Sequence, residues 1–292
     1  MVLVVCVCYR SDHDAVEFVE TVLSNEQADT YHLLLVDNSE ASTLCETLAA
    51  KGITRAAVSL LVPGKNLGYY GGAEWGLCEY LKGHEMPDWV VVCNADLTFS
   101  GENFLGNLTE QGLTHGHAII APAILSRFSG RDQNPYMLVR PSRLRMRFYK
   151  FVFCWYVLLV AYSLLSIVVR KGGRMLRRLS VDDDGGGHAA PEVVRTIYAP
   201  HGACIAFRRS YFDAGGTLRH GAFLFGEEIF VAETARHLHL TIAYNPRLRV
   251  IHEEHKATGV WPTKVIAAYM QESAAYCADT FFGVDKSSDD LT

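Results

Sequence analysis

The chain has 292 residues, 49% of them hydrophobic and 20% charged, with a formal net charge of −5 and a pI near 6.2. That length supports one large α/β domain or two smaller ones with a sizeable core. The mildly acidic balance argues against nucleic acid as a partner of the whole chain, although ten of the 27 Lys and Arg residues fall between Arg140 and Arg178.

Val2 to Cys8 is a near-continuous apolar run, as expected of a parallel strand buried on both faces. Val16, Val19, Val22 and Leu23 follow at helical spacing. His32 to Val36 predicts a second strand that ends at Asp37-Asn38-Ser39, and Leu44, Leu48 and Ala49 mark a short helix. Ala56 to Val62 predicts a third strand, a helix runs from about Gly72 to Leu81, and Trp89 to Cys93 forms a fourth strand. This alternation predicts a parallel, doubly wound sheet. Residues 117–125 predict another strand, Tyr198 to Phe207 one more, and Glu227 to Leu238 a helix. Thr241 to Tyr244 and Leu248 to Ile251 read as two short strands, and Pro262 to Cys277 as a closing helix.

The eight cysteines show no CxxC spacing, and Cys6, Cys8, Cys93, Cys154 and Cys204 lie within apolar runs. They read as small buried hydrophobes in a reducing compartment. Met1 to Val5 carries no basic leader and runs straight into a strand, so a cytosolic setting is expected.

Asn94-Ala95-Asp96 carries the first chemical signal. A buried strand ending in a carboxylate brings it to the sheet edge where α/β folds bind ligands, and such an oxygen can hold Mg²⁺ or Mn²⁺ against a diphosphate. The same triplet also reads as an Asn/Asp turn. Asp37 reads either as a base- or ribose-binding carboxylate or as an Asx-turn. Gly64 to Gly72 contains Asn66, Gly68 and Gly72 before a helix, and its glycines either let backbone N–H groups approach an anion or form an ordinary loop. Glu227 and Glu228 open a helix. They are either partners of the helix dipole or a site-facing acid with a supporting neighbour. Shielding by Phe223, Phe225 and Phe230 would raise such an acid's pKa and suit a general base. His252-Glu253-Glu254-His255 is not HExxH, since the histidines are three apart after a strand, and one His completing an oxygen-rich Mn²⁺ or Mg²⁺ site fits better. His115-Gly116-His117 reads as a surface turn and Asp182 to Gly187 as a flexible acidic linker.

These pieces, taken in order, resemble the GT-A-fold glycosyltransferases of the large inverting group called family two. They are most similar to bacterial rhamnosyltransferase-like enzymes of surface-polysaccharide synthesis. The matching segments are Val4 to Tyr9, Val36 to Ser39, Asn66 to Gly72, Asn94 to Asp96, His201-Gly202-Ala203, Phe225 to Glu228 and Val250 to His252. The resemblance implies an α/β fold with a Rossmann-like, mostly parallel sheet flanked by helices; it does not cover about residues 130–190, which read as an inserted membrane-associating segment. It implies residues 1–125 as the nucleotide-sugar half, 126–192 as the insertion, and 193–292 as the acceptor half with the C-terminal helix. Tyr9, Asp37, Asn66, Gly68, Gly72, Asn94 and Asp96 would then bind the nucleoside-diphosphate-sugar donor, and His201 and Gly202 the acceptor. Asp96 and His252 would hold Mn²⁺ or Mg²⁺. Glu228 stands at the catalytic base, with Glu227 in support. Asn94 replaces the first Asp of the family's DxD, and Glu228 stands where an Asp is usual. The implied reaction is inverting transfer of a sugar, from dTDP-rhamnose or a UDP-sugar, to a polyprenyl-diphosphate-linked glycan.

Phe151 to Val169 is a 19-residue run without charge, flanked by Arg143, Arg145, Arg147 and Lys150 and by Arg170, Lys171, Arg174, Arg177 and Arg178. Its length suits a membrane span, but a single span would part Asp96 from Glu228. Residues 143–178 are therefore expected to meet membrane lipids in the plane of the cytoplasmic face, by re-entry or as a hairpin. A buried core helix or a homo-oligomer interface is the alternative. A nucleotidyltransferase is the competing enzyme reading, though Tyr9 to His13 lacks its glycine-rich loop. A non-catalytic membrane-bound nucleotide-sugar sensor is the competing binding reading.

Overall fold

The computed structural model describes residues 1–53, 58–101, 103–162, 164, 193–254 and 263–283. The chain divides into two units, one of Met1–Arg140 with Glu192–His255 and the other of Pro141–Pro191 with Lys256–Thr292.

The first unit is built on a nine-stranded sheet. Strands β1 (Val2–Cys8), β2 (Tyr31–Asp37), β3 (Val58–Leu61) and β4 (Trp89–Asn94) form a parallel block in the order β3-β2-β1-β4. All seven residues of β1 are buried, which explains its unbroken apolar sequence. Helices α1 (Asp12–Asn25), α2 (Leu44–Ala50) and α3 (Tyr69–Leu81) connect these strands. Helix α1 turns Ala15, Val16, Phe18, Val19 and Val22 inward. Each large aliphatic or aromatic side chain buried this way contributes about 1.5–3 kcal/mol.

Beyond β4 the sheet is mixed rather than mostly parallel. Residues 97–116, where no element is predicted, form β5 (Leu97–Ser100) and α4 (Phe104–His115). Gly116 closes α4 at φ 64°, so the His115-Gly116-His117 turn is found. Strand β6 (Ile119–Ser126) follows. The predicted strand over 198–207 is realised only as the shorter β8 (Cys204–Arg208), and the unpredicted β7 (Arg195–Ile197) precedes it. A short helix α6 (Arg209–Asp213) and helix α7 (Glu227–His237) lead to β9 (Ile242–His252). β9 is one strand, not two. It pairs in parallel with β6, and the partner of Pro122 is Asn245 while that of Ala123 is Arg249. Pro246 to Leu248 are thus accommodated as a bulge, which a proline tolerates because it has no N–H to offer the ladder. β8 runs antiparallel to β4 and β6, and β5 and β7 run antiparallel to β9.

This topology gathers one edge. The parallel strands β1, β2, β4, β6 and β9 end there, and the antiparallel β8 and β5 begin there, as the pairs Cys8 with Asp37, Cys93 with Cys204 and Leu97 with His252 record. Helix α7 is pinned from within by Glu233, which is fully buried. Its carboxylate accepts from Arg140 Nε at 2.7 Å and Nη2 at 2.9 Å, from Tyr198 Oη at 2.7 Å and from Arg236 Nε at 3.0 Å. Met137 and Ala199 exchange backbone hydrogen bonds beside this cluster.

In the second unit, helix α5 (Arg143–Cys154) packs on helix α8 (Lys264–Phe282). Ser142 caps α5 by accepting from Arg145 N–H, and Thr263 caps α8 by accepting from Ile266 N–H. Lys150 pairs with Asp279 at 2.6 Å. Helix α5 stops where Trp155 adopts an extended backbone, so the uncharged run does not open as one continuous helix. Among the described residues no helix is long and apolar enough to cross a membrane. The rest of that run beyond Leu164, the basic cluster from Arg170 to Arg178 and the acidic linker lie outside the described residues. Cys6, Cys8, Cys93 and Cys204 are buried as expected, whereas Cys154 is exposed.

Candidate active site

Three loops are tied together at the carboxyl ends of β1 and β2. Arg10 N–H donates to Ser39 Oγ at 2.8 Å, and Asn38 Nδ2 donates to the Gly68 carbonyl at 2.8 Å. Asp37 is buried. Its Oδ1 accepts from Ser39 N–H at 3.0 Å and from Ser39 Oγ at 2.6 Å, while its Oδ2 has no hydrogen-bond partner. The Asx-turn and the ligand-binding readings therefore share one side chain, since one oxygen makes the turn and the other is left for a donor. Tyr9 is exposed, with the Arg10 guanidinium over its ring. Asn66 Oδ1 accepts from Gly68 N–H. Gly68, at the N-cap of α3, and Gly72, in its first turn, are both closely packed. A Cβ on Gly68, whose φ is +76°, would lie 1.9 Å from the Phe223 carbonyl oxygen, and one on Gly72 would lie 2.8 Å from Asn38 Nδ2.

Asp96 follows β4, and His252 ends β9. His252 Nε2 and Asp96 Oδ2 stand 3.3 Å apart, both partly buried. Glu253 N–H donates to the Asp96 carbonyl, which fixes the two strand ends together. A carboxylate oxygen and an imidazole nitrogen this close could supply two ligands to a divalent cation such as Mn²⁺ or Mg²⁺, with diphosphate oxygens and water suited to the remaining positions. The described residues contain no cluster of three or more His, Cys, Asp or Glu that could hold a metal without such help. Asn94 is half-buried, and its backbone N–H donates to the Ala203 carbonyl.

The His201-Gly202-Ala203 segment links this pair to the acids of α7. The His201 and His252 rings lie 6.0 Å apart, centroid to centroid. Burial, with His252 nearby, lowers the His201 pKa to about 4, so the ring is neutral. Its Nδ1 accepts from Ala203 N–H at 3.2 Å, which leaves the proton on Nε2. The Gly202 carbonyl accepts from Tyr69 Oη at 2.9 Å. Glu227 is buried and Glu228 half-buried at the α7 N-terminus. Both carboxyls are pushed up in pKa, chiefly by burial, and Glu227 also by the charge of Glu228. Hydrogen bonding from the Gly202 backbone moderates the rise at Glu228.

Sequence reasoning missed the segment after β6. Asp132, Gln133 and Asn134 there contact Tyr244, His252 and the His201 backbone in turn. Three adjacent polar residues just past a buried strand were the available signal.

With this geometry in place, the family follows. A family model described as glycosyltransferase like family 2 matches residues 1–275, and the chain belongs to that family. No curated protein matches the sequence. Among solved structures, GalNAc-T7 with UDP, GalNAc and Mn²⁺ is similar with a TM-score of 0.57 at 13% identity, over 87% of this chain and 43% of that one. The mannosyltransferase PcManGT from Pyrobaculum calidifontis, in complex with GDP-Man and Mn²⁺, has a TM-score of 0.49 at 13% identity, over 88% of this chain and 57% of that one. The chain thus spans less than half of the first and little more than half of the second. The likeness to GalNAc-T7 is one of fold, GT-A-like, with a mixed sheet flanked by helices.

Proposed function

We propose that the protein is an inverting glycosyltransferase that moves a sugar from a nucleoside diphosphate to a hydroxyl of an acceptor glycan. The observation that carries this reading is the meeting, along one sheet edge, of the unpaired Asp37 Oδ2, the Asp96–His252 pair and Glu228. Asp37 Oδ2 suits the imide N–H of uracil or thymine, in keeping with a UDP-sugar or dTDP-rhamnose donor. GalNAc-T7, which shares the fold, was solved with UDP and Mn²⁺. Asp96 and His252 would hold Mn²⁺ or Mg²⁺, which would supply charge neutralisation at the diphosphate. Glu228 takes the proton of the acceptor hydroxyl as its oxygen attacks the anomeric carbon. The bond from that carbon to the diphosphate oxygen breaks on the opposite face. A raised pKa brings Glu228 nearer the working pH of a base.

For the acceptor we propose a polyprenyl-diphosphate-linked glycan, met at the cytoplasmic membrane face. The support is the exposed stripe Leu144, Phe148 and Phe151, set at helical spacing among Arg143, Arg145 and Arg147, with the exposed Trp155 just past the helix end.

Transfer from UDP- and dTDP-sugars, with the anomeric configuration of the product read by NMR, tests the reaction. Retained configuration, or no transfer from any nucleotide-sugar alongside tight binding, would overturn it in favour of a retaining enzyme or a sensor. Sedimentation with anionic vesicles tests the lipid surface, with Phe148→Ser and Phe151→Ser expected to stay in the supernatant.

A further inference from the structure

The His252 ring is held by more than the end of its strand. Its Nδ1 lies 2.8 Å from Gln133 Oε1. Gln133 Nε2 lies 2.5 Å from Glu254 Oε1, and Glu254 Oε2 accepts from Ser126 Oγ at 2.6 Å. For a neutral His252 ring, each step in this chain has one solution. A carboxylate only accepts hydrogen bonds, so Gln133 must turn its NH₂ toward Glu254 and its carbonyl oxygen toward His252. A carbonyl oxygen also only accepts, so the proton of a neutral His252 must sit on Nδ1. Nε2 then carries a lone pair, and this is the atom 3.3 Å from Asp96 Oδ2. Two acceptors held that close repel each other unless a proton on Nε2 or a metal cation lies between them.

The supports of Gln133 are themselves fixed. Asp132 Oδ1 accepts from the N–H groups of Ile124 and Asn134, and its Oδ2 accepts from Tyr244 Oη. Asn134 Nδ2 donates to the Pro122 carbonyl, and its Oδ1 accepts from His201 N–H. Gln133 itself donates its backbone N–H to the Ile124 carbonyl. The glutamine therefore meets His252 from a braced backbone.

We infer that Gln133 is a positioning residue: oriented by Glu254, it fixes His252 in the tautomer that offers Nε2, together with Asp96, to a divalent cation. The inference rests on the metal reading given above. Contacts of this kind behind a metal-binding histidine are worth about 10- to 100-fold in metal affinity.

The test uses the full chain and two readouts. Imidazole ¹⁵N shifts of metal-free protein report the His252 tautomer, and electron paramagnetic resonance of free Mn²⁺ reports the affinity for Mn²⁺ alone. The wild type is expected to show the Nδ1–H form. Gln133→Leu is expected to lose that single form and to bind Mn²⁺ about 10- to 100-fold more weakly. Glu254→Gln, which preserves shape but permits the Gln133 amide to reverse, is expected to give mixed tautomers, and it serves if Gln133→Leu does not fold. An Nε2–H form in the wild type, or an unchanged tautomer and Mn²⁺ affinity in both variants, would overturn the relay alone. If Asp96→Ala takes up as much Mn²⁺ as the wild type, the metal reading falls, and this inference with it.

Discussion

Gly202 makes the room in which the Glu228 carboxylate sits, for a Cβ built on Gly202 would come within 3.2 Å of Glu228 Oε1. The segment that leads into β8 and the first turn of α7 are thereby fitted to each other at the atom proposed to receive the proton. Glu228→Gln is expected to bind nucleotide normally and to lower kcat about 10²- to 10⁴-fold, because an amide cannot take the proton. Gly202→Ala would move the carboxylate by a few tenths of an ångström, and about a tenfold loss in kcat is expected, with donor KM unchanged. Steady-state kinetics separates the two constants. An inactive Glu227→Gln beside an active Glu228→Gln would reverse the two roles.

The acid pair also marks the pH dependence of stability. Both folded carboxyls titrate above the ordinary value of 4.5. Between 4.5 and the raised value, the folded protein keeps protons that the unfolded chain has released, so stability falls as pH rises through that window and is unaffected by the pair below it. Glu227→Gln removes the buried acid. Its melting temperature is expected to exceed that of the wild type at pH 8 and to approach it near pH 4.5, as read by calorimetry across pH.

Asp37 offers a test at the other end of the site. With Oδ1 held by Ser39, Asn at this position would either present NH₂ where an acceptor is needed or break the turn. Asp37→Asn is expected to weaken UDP or dTDP binding about 10- to 100-fold, in line with the loss of a hydrogen bond to a charged group. Calorimetric titration measures it, and unchanged affinity would remove Asp37 from the donor site.

The Glu233 cluster predicts a stability effect remote from the chemistry. Arg140→Ala leaves a fully buried carboxylate without its two-pronged partner, and a loss of about 3 kcal/mol in denaturant unfolding is expected. Arg236 is half-exposed and contributes one bond, so Arg236→Ala is expected to cost less than about 1 kcal/mol.

What could be read from the sequence divides along a physical line. β1, β2 and β4 are buried on both faces, so their apolar runs announce them, and Asp37 and Asp96 are legible because they follow such runs. β5 has only four residues, with alternating burial, and is defined by its pairing with β9 far along the chain. Pro246 made β9 look like two strands, since the bulge that absorbs it is a property of the partner register. The mixed sheet was hidden for the same reason, because strand direction is set by which neighbour a strand finds. The polar run Asp132 to Asn134 could have marked its segment, but the role of Gln133 depends on a contact with a residue 119 positions away.

The clamp on Glu233 has a further meaning for how this chain can change. Arg140 is the last residue before the chain leaves the sheet unit, and Tyr198 lies just after its return. Both grip the same carboxylate, and Met137 and Ala199 are paired beside them. Within the sheet unit, exit and re-entry are thus stapled at a single point. Lengthening a loop closed in this way costs little, about 0.6 kcal/mol per doubling. A change in the length of the sequence between Arg140 and Tyr198 is therefore expected to leave Glu233 and the strands around it in place.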